Sequence, residues 1–198
     1  NLNNKRVINK QMILMNSTSG NVKWTAQLNA FPILDGISIQ SIQDDEKDYL
    51  VLKGDKDLYT LNAESGEVFW HKNFNKSFQL CSWGKNTLHI EDRKIDLWDP
   101  IGKQKNWSYL LDSKNADLAI STAIEQSNEN TNNQSLAIVG SEGGSLRVLN
   151  EDAGWFNLGI ERWSANVGAA TKRVWAHNGR VFCLTGQDSL FTFDLISG

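Results

Sequence analysis

The chain of 198 residues is short of several things, and each shortage narrows what it can be. It has 2 cysteines, Cys81 and Cys183, with no Cys-x-x-Cys pair and no histidine at ligand spacing, so no metal-site spacing is written into it. A disulfide between them needs Cα atoms within about 7 Å, which sequence spacing does not decide; two unpaired, buried thiols are the expectation. Charge of one sign is also lacking. The 20 Lys+Arg against 23 Asp+Glu leave a net charge of -3, without the concentrated basic face of a nucleic-acid binder. No apolar run approaches the ~18 residues of a membrane helix, and the first residues are polar, so no signal peptide is visible. The first residue is Asn rather than Met, and the chain is expected to be a piece of a longer one. No segment carries convincing 3.6-residue apolar periodicity, so the expected fold class is all-β.

What is present is a repeat. The segment Leu58-Tyr-Thr-Leu-Asn-Ala-Glu-Ser-Gly-Glu-Val-Phe-Trp70 alternates, turns between Asn62 and Gly66, and alternates again to a tryptophan. Met15-Asn-Ser-Thr-Ser-Gly-Asn-Val-Lys-Trp24 falls in the same register. Further copies are Ile95 to Gly102, with Trp107 five residues on instead of four, Leu146 to Gly154, and Leu190 to Gly198. The turn glycines at 20, 66, 102, 154 and 198 are 46, 36, 52 and 44 residues apart. Periods of about 40–50 built from short strands mark propeller blades, each a four-stranded antiparallel sheet. The leading Asn or Asp can close an Asx-turn, and the glycine supplies a positive φ at no steric cost. The Val-x-Trp that follows is expected to put both apolar side chains on one face of the outer strand, where the ring covers the gap between blades.

Between the turns lie short strand pairs. Residues 37–42 and 49–54 precede the second motif, 80–83 and 87–90 the third, 116–121 and 135–140 the fourth, and 173–176 and 180–184 the fifth. The polar stretch from Glu125 to Gln134 reads as a mobile low-complexity loop that accounts for the 52-residue spacing. The expected architecture is one partial β-propeller over residues 1–198, with turn motifs near 16–24, 62–70, 99–107, 150–155 and 194–198. About four blades are present, as an arc of a seven- or eight-bladed ring. An isolated arc has open strand edges, so this fragment alone is expected to be aggregation-prone.

Chemistry is harder to find. His71, His89 and His177 show no metal spacing, and His71 reads as a surface residue. Gly140-Ser-Glu-Gly-Gly144 has no following Lys-Ser/Thr and reads as a hairpin turn rather than a phosphate loop. The acidic run from Asp44 to Asp48 reads as a solvated loop tip. Trp83, Trp98, Trp155 and Trp175 lie off the repeated position, and packing is the default for each over a ligand surface. Asn16, Asn75, Asn106 and Asn133 each begin an Asn-x-Ser/Thr site, but 21 Asn and 26 Ser+Thr give about three by chance. No catalytic, cofactor-binding or metal residue is assigned.

The pattern hydrophobic-x-Leu/Met-Asn-x-x-Ser-Gly-x-Val-x-Trp, at 13–24 and 59–70, resembles the repeat of the PQQ-like (quinoprotein-type) propeller superfamily. Within it, Leu97-Trp-Asp-Pro-Ile-Gly-Lys-Gln-Lys-Asn-Trp-Ser-Tyr-Leu-Leu-Asp-Ser113 is similar to an early blade of the first propeller in the family of subunit 1 of the ER membrane protein complex. That resemblance implies a lumenal, non-enzymatic scaffold domain and glycoprotein, part of a complex that inserts transmembrane segments. It implies no cofactor and no small-molecule substrate, protein subunits as partners, and membrane association through parts outside these residues. A periplasmic PQQ-like lipoprotein supporting outer-membrane β-barrel assembly is an alternative. A quinone-dependent dehydrogenase is another, though it needs a calcium site and a Trp floor and often uses adjacent cysteines, which this chain lacks. A generic WD-type propeller is suggested only by Trp98-Asp99.

Overall fold

The computed structural model describes residues 10–28, 38–44, 47–127, 130–151 and 160–198. Every regular element among them is a β-strand. The chain divides into two compact units, Asn1–Leu80 with Pro100–Lys103, and Cys81–Asp99 with Gln104–Gly198.

In the first unit, β1 (Lys10–Met15) and β2 (Val22–Leu28) form a two-stranded sheet, and β3 (Ser38–Asp44), β4 (Lys47–Lys53), β5 (Asp57–Asn62) and β6 (Val68–Asn73) form a four-stranded antiparallel meander. Along β2 the alternation is strict: Trp24, Ala26 and Leu28 are buried while Lys23, Thr25 and Gln27 are exposed. These three pack with Leu52, Tyr59 and Leu61 into one cluster. The other face of the same meander gathers Ile42, Val51, Leu58 and Phe78, with Trp70 and Ile101 packed against them. A central strand covered on both faces reads as a continuous apolar run, which is why Leu58 to Leu61 is buried at every position.

The second unit holds the meander β7 (Gln79–Trp83), β8 (Asn86–Glu91), β9 (Lys94–Asp99) and β10 (Gln104–Leu110). Next come β11 (Asn115–Ser127), β12 (Asn130–Ser141), β13 (Ser145–Asn150) and β14 (Glu161–Asn166), and then a three-stranded sheet of β15 (Thr171–His177), β16 (Arg180–Thr185) and β17 (Leu190–Asp194). Two clusters fill it, one around Trp83, Leu88, Ile95, Leu97 and Trp107 with Val139 and Leu149, the other around Leu136, Ile138, Leu146 and Val148 with Val174, Val181 and Leu195. Each fully buried Leu or Ile contributes about 1.5–3 kcal/mol relative to exposure.

Three expectations from sequence need correction, and one tryptophan finds its place only in the structure. The stretch from Glu125 to Gln134 is a strand extension: β11 and β12 pair from Leu118↔Val139 to Ser127↔Asn130, and residues 128 and 129 lie outside the described residues. The ladder is made by the backbone, so Asn- and Ser-rich composition did not forbid it. In the third motif the left-handed residue is Lys103, at φ 59°, and not Gly102. Counted from the leading Asx, Lys103 is the equivalent of Gly20 and Gly66, so Trp107 is in phase after all.

The third correction concerns the valines of Val-x-Trp. In each of the four outer hairpins one β-bulge falls just before the tryptophan, on Lys23, Phe69, Asn106 and Arg162. A bulge adds one residue and re-aims the strand, so Val22 and Val68 are exposed, at 56% and 39%, rather than sharing the ring's buried face. The tryptophan placed only by the structure is Trp163. It pairs with Val148 as Trp24 pairs with Leu14 and Trp70 with Thr60, and it is therefore the tryptophan of the fourth motif. Thirteen residues separate it from Asn150 where the others have eight, and that length hid it in the sequence.

Candidate interaction surface

Three of the motifs begin with one local device. The side-chain oxygen of Asn16 accepts the amides of Thr18 and Ser19 at 2.9 Å, Asn62 those of Glu64 and Ser65 at 2.9 Å, and Asp194 those of Ile196 and Ser197 at 2.9 Å. Gly20, Gly66 and Gly198 then close the turn onto the leading carbonyl from φ of 70°, 73° and 89°. Only a residue without Cβ takes that conformation freely.

The turn built this way receives an indole. Trp24 Nε1 donates to the Ala63 carbonyl at 2.9 Å, Trp107 Nε1 to Glu151 at 2.9 Å, and Trp163 Nε1 to Leu195 at 3.0 Å. In every case the acceptor is the residue after the leading Asn or Asp. The ring lies flat on the turn glycine: a Cβ on Gly66 would overlap Trp24, and one on Gly198 would meet Trp163 at 3.2 Å. At the Asp99 turn the Pro100 carbonyl accepts the Thr60 hydroxyl at 3.2 Å, and Trp70 packs in one cluster with Ile101.

A polar lock accompanies these contacts in the second unit. Arg147 on β13 pairs with Glu161 on β14 at 2.6 Å and with Asp112 at 3.5 Å, and donates to the Tyr109 hydroxyl at 3.0 Å. Tyr109 on β10 in turn donates to Glu161. Burial and that hydrogen bond push the Tyr109 phenol up to about 12. Burial alone would raise the Glu161 carboxyl, yet hydrogen bonds from Tyr109, Ser164 and Arg147 hold it below the usual range. The Ser145 hydroxyl, at 2.8 Å, does the same for Asp112. These groups bond one another across β10, β13 and β14, and the Arg147 Nε is left buried without a hydrogen-bond partner.

The residues singled out by sequence are scattered rather than assembled. His71 is exposed but anchored, bonded to Asp57 at 2.8 Å and stacked on Tyr59. His89 is buried in β8 opposite Asp96, and burial lowers its pKa to about 4. His177 ends β15. Gly140 to Gly144 is the β12–β13 hairpin turn, whose glycines allow close approach to Thr171, Ser113 and Ala169. Asp44 to Asp48 lies at the β3–β4 hairpin, with residues 45 and 46 outside the described residues. Trp83 is fully buried, edge-on to Trp107 and donating to Ser135 at 2.7 Å; Trp175 stacks on Phe182; Trp98 is half-buried opposite Thr87. Trp155 and Gly154 lie outside the described residues. Asn16 serves its turn, Asn75 and Asn106 are exposed, and the Asn133 side chain lies outside the described ones. Cys81 is partly buried and Cys183 buried; both are free thiols raised by burial. Among the described residues no group of three His, Cys, Asp or Glu could hold a metal ion, and no helix is long and apolar enough to cross a membrane.

What the surface does offer is apolar. Ile13 and Met15 on β1, Val22 on β2, Leu110 on β10 and Leu190 on β17 are each at least half exposed, and nothing in the sequence marked them apart from neighbours that are buried.

No protein-family model matches the chain, and no curated protein matches it in sequence. Among solved structures it is similar to BBS1N, crystallised in complex with ARL6DN, at 16% identity and a TM-score of 0.61 over 93% of this chain and 57% of that one. It is similar to Sqt1 of Saccharomyces cerevisiae at 12% identity and a TM-score of 0.61, over 94% of this chain and 52% of that one. BamB from Moraxella catarrhalis is similar at 16% identity and a TM-score of 0.56, over 90% and 51%. The chain thus spans little more than half the length of each. Together with the antiparallel four-stranded meanders, these likenesses define the class: the protein is a β-propeller of four-stranded blades.

Proposed function

We propose that this propeller is a non-enzymatic scaffold that binds protein subunits, and that it forms a lumenal part of the ER membrane protein complex. The observation that carries the scaffold reading is the use made of the tryptophans. Trp24, Trp107 and Trp163 are spent on blade turns and Trp83 on the core, leaving apolar strand residues such as Leu110, 65% exposed, as the surface a partner would meet. The resemblance over Leu97–Ser113 supports the ER assignment; in the fold it covers part of β9, all of β10 and the Asp112–Ser113 segment whose Asp112 carboxylate enters the polar lock.

A second reading is favoured by the likeness to BamB: a periplasmic lipoprotein that supports outer-membrane protein assembly. Affinity purification of the full-length protein from its own membranes separates the two. Recovery of a multi-subunit insertase supports the first reading, recovery of a barrel-assembly machine supports the second, and recovery of the protein with no partner overturns both.

A further inference from the structure

We propose that the far end of the β11–β12 hairpin is a dimerisation arm, through which two copies of this chain join edge to edge along Asn130–Ser135 of β12. Two two-stranded ribbons then make one four-stranded antiparallel sheet. The inference goes beyond the scaffold reading and holds whichever membrane the scaffold serves. β11 and β12 stay paired from Thr122↔Ser135 to Ser127↔Asn130, six pairs past Leu136↔Asn150, where the ladder between β12 and β13 stops. At about 3.4 Å per residue the ribbon runs on for roughly 20 Å as two strands alone. Its root is fixed, because the Ser135 hydroxyl accepts the Trp83 indole N–H at 2.7 Å. Among the described residues no strand lies beside Asn130–Ser135 on the side away from β11. A two-stranded ribbon is marginal in water, and a further strand is what completes it.

The residues of that edge say which strand. Exposed edges are ordinarily blunted by lysine, proline or a bulge. Asn130-Thr-Asn-Asn-Gln-Ser135 has no charge and no proline, and the register shift of the β11–β12 ladder lies at its opposite end, between Asn115 and Asp117. Charge stands elsewhere: Glu125 is on β11 opposite Asn132, and Glu129 precedes β12 in the sequence. Two identical strands can meet antiparallel about a two-fold axis, an arrangement that closes as a dimer. Centred on Asn132, the axis sets Thr131 opposite Asn133 and Asn130 opposite Gln134. Centred on Asn133, it sets Asn132 opposite Gln134 and Thr131 opposite Ser135. In either register every facing pair joins uncharged amide or hydroxyl residues, so no like charges meet and amide pairs can add to the backbone ladder. A second copy thus matches the edge residue for residue, whereas a charged or apolar partner strand would find neither opposite charge nor apolar residue along it.

Sedimentation equilibrium of the full-length protein tests this, with a monomer–dimer equilibrium expected as concentration rises. In the double variant Asn132→Lys with Asn133→Lys, like charges face one another near the axis, and association should weaken at least about five-fold. Mixing that variant with Asn132→Asp plus Asn133→Asp should restore the dimer, because opposite charges then face; a misfolded arm would not be rescued this way. A protein that stays monomeric at every concentration, a dimer unmoved by the lysines, or a loss that the aspartate variant does not restore overturns the proposal. So do lysine variants that release a different protein subunit instead of dissolving a dimer. A glycan on Asn133, read from the mass of its proteolytic peptide, also overturns it, since that residue begins an Asn-x-Ser site and a sugar there would occupy the edge.

Discussion

The indole of Trp24 donates to the carbonyl of Ala63 at 2.9 Å and lies flat on Gly66, so one residue of β2 both fills a cluster and satisfies a turn on the next sheet. The contact couples the two glycine requirements at position 66, backbone angle and space. Gly20, at φ 70° against 73°, has the first requirement without the second. Gly66→Ala is therefore expected to cost about 1–2 kcal/mol for the left-handed angle plus about 1–3 kcal/mol of overpacking against the ring. Gly20→Ala should cost only the first amount. Urea unfolding of the two variants checks the difference, and equal losses would show that Trp24 slides aside freely.

Trp107 is 3% exposed, donates to Glu151 and meets Trp83 edge to face. Trp107→Phe keeps a ring but leaves the carbonyl without its donor, for an expected loss of about 1–3 kcal/mol. Trp107→Ala adds a cavity and should lose about 3–5 kcal/mol. The same urea titrations, followed by circular dichroism, read both.

His89 gives the protein a pH dependence on the acid side. Burial lowers its pKa from 6.5 to about 4, against the opposing pull of Asp96 and Glu91. Between those values the unfolded chain binds a proton the folded chain refuses, so the stabilisation is complete above pH 6.5 and is lost as pH falls toward 4. About 2 kcal/mol should go between pH 6.5 and 5, above the range where most carboxylates titrate. His89→Gln should flatten that limb of a stability-against-pH curve, and an unchanged slope would place its origin elsewhere.

Burial raises both thiols. Iodoacetamide at pH 8 is expected to leave Cys183 unmodified in the native protein and to label Cys81 slowly, with both reacting at once in urea. Mass spectrometry of the alkylated peptides distinguishes the sites, and rapid native labelling of Cys183 would contradict its place in the core.

A scaffold should not respond to the ligands of a quinone enzyme. Pyrroloquinoline quinone with calcium, added to the full-length protein, is expected to leave the melting temperature unchanged. A ligand present at about 100 times its dissociation constant would stabilise by about 2.7 kcal/mol, and such a shift would refute the non-enzymatic reading.

Much of this fold was legible in the chain. The Asn62–Gly66 and Asn16–Gly20 turns act within five residues, so their geometry follows from local preference, and the strands between them follow from alternation. Lys103 escaped because a glycine stood next to it and the left-handed angle fell on the residue counted from Asp99. Trp163 escaped because its distance from Asn150 departs from the repeat, and only pairing with Val148 restores its position. The candidate surface was not legible at all. Ile13 and Tyr59 are both apolar at one motif position, and whether either is covered depends on a neighbouring sheet.

Sequence alone therefore determined the repeating unit, its Asx turns and its all-β character, because those depend on residues a few positions apart. Tertiary structure alone decided which valine faces solvent and which tryptophan meets which carbonyl. Those outcomes depend on bulges and on groups some 30 to 45 residues distant, brought together only when one sheet packs on the next.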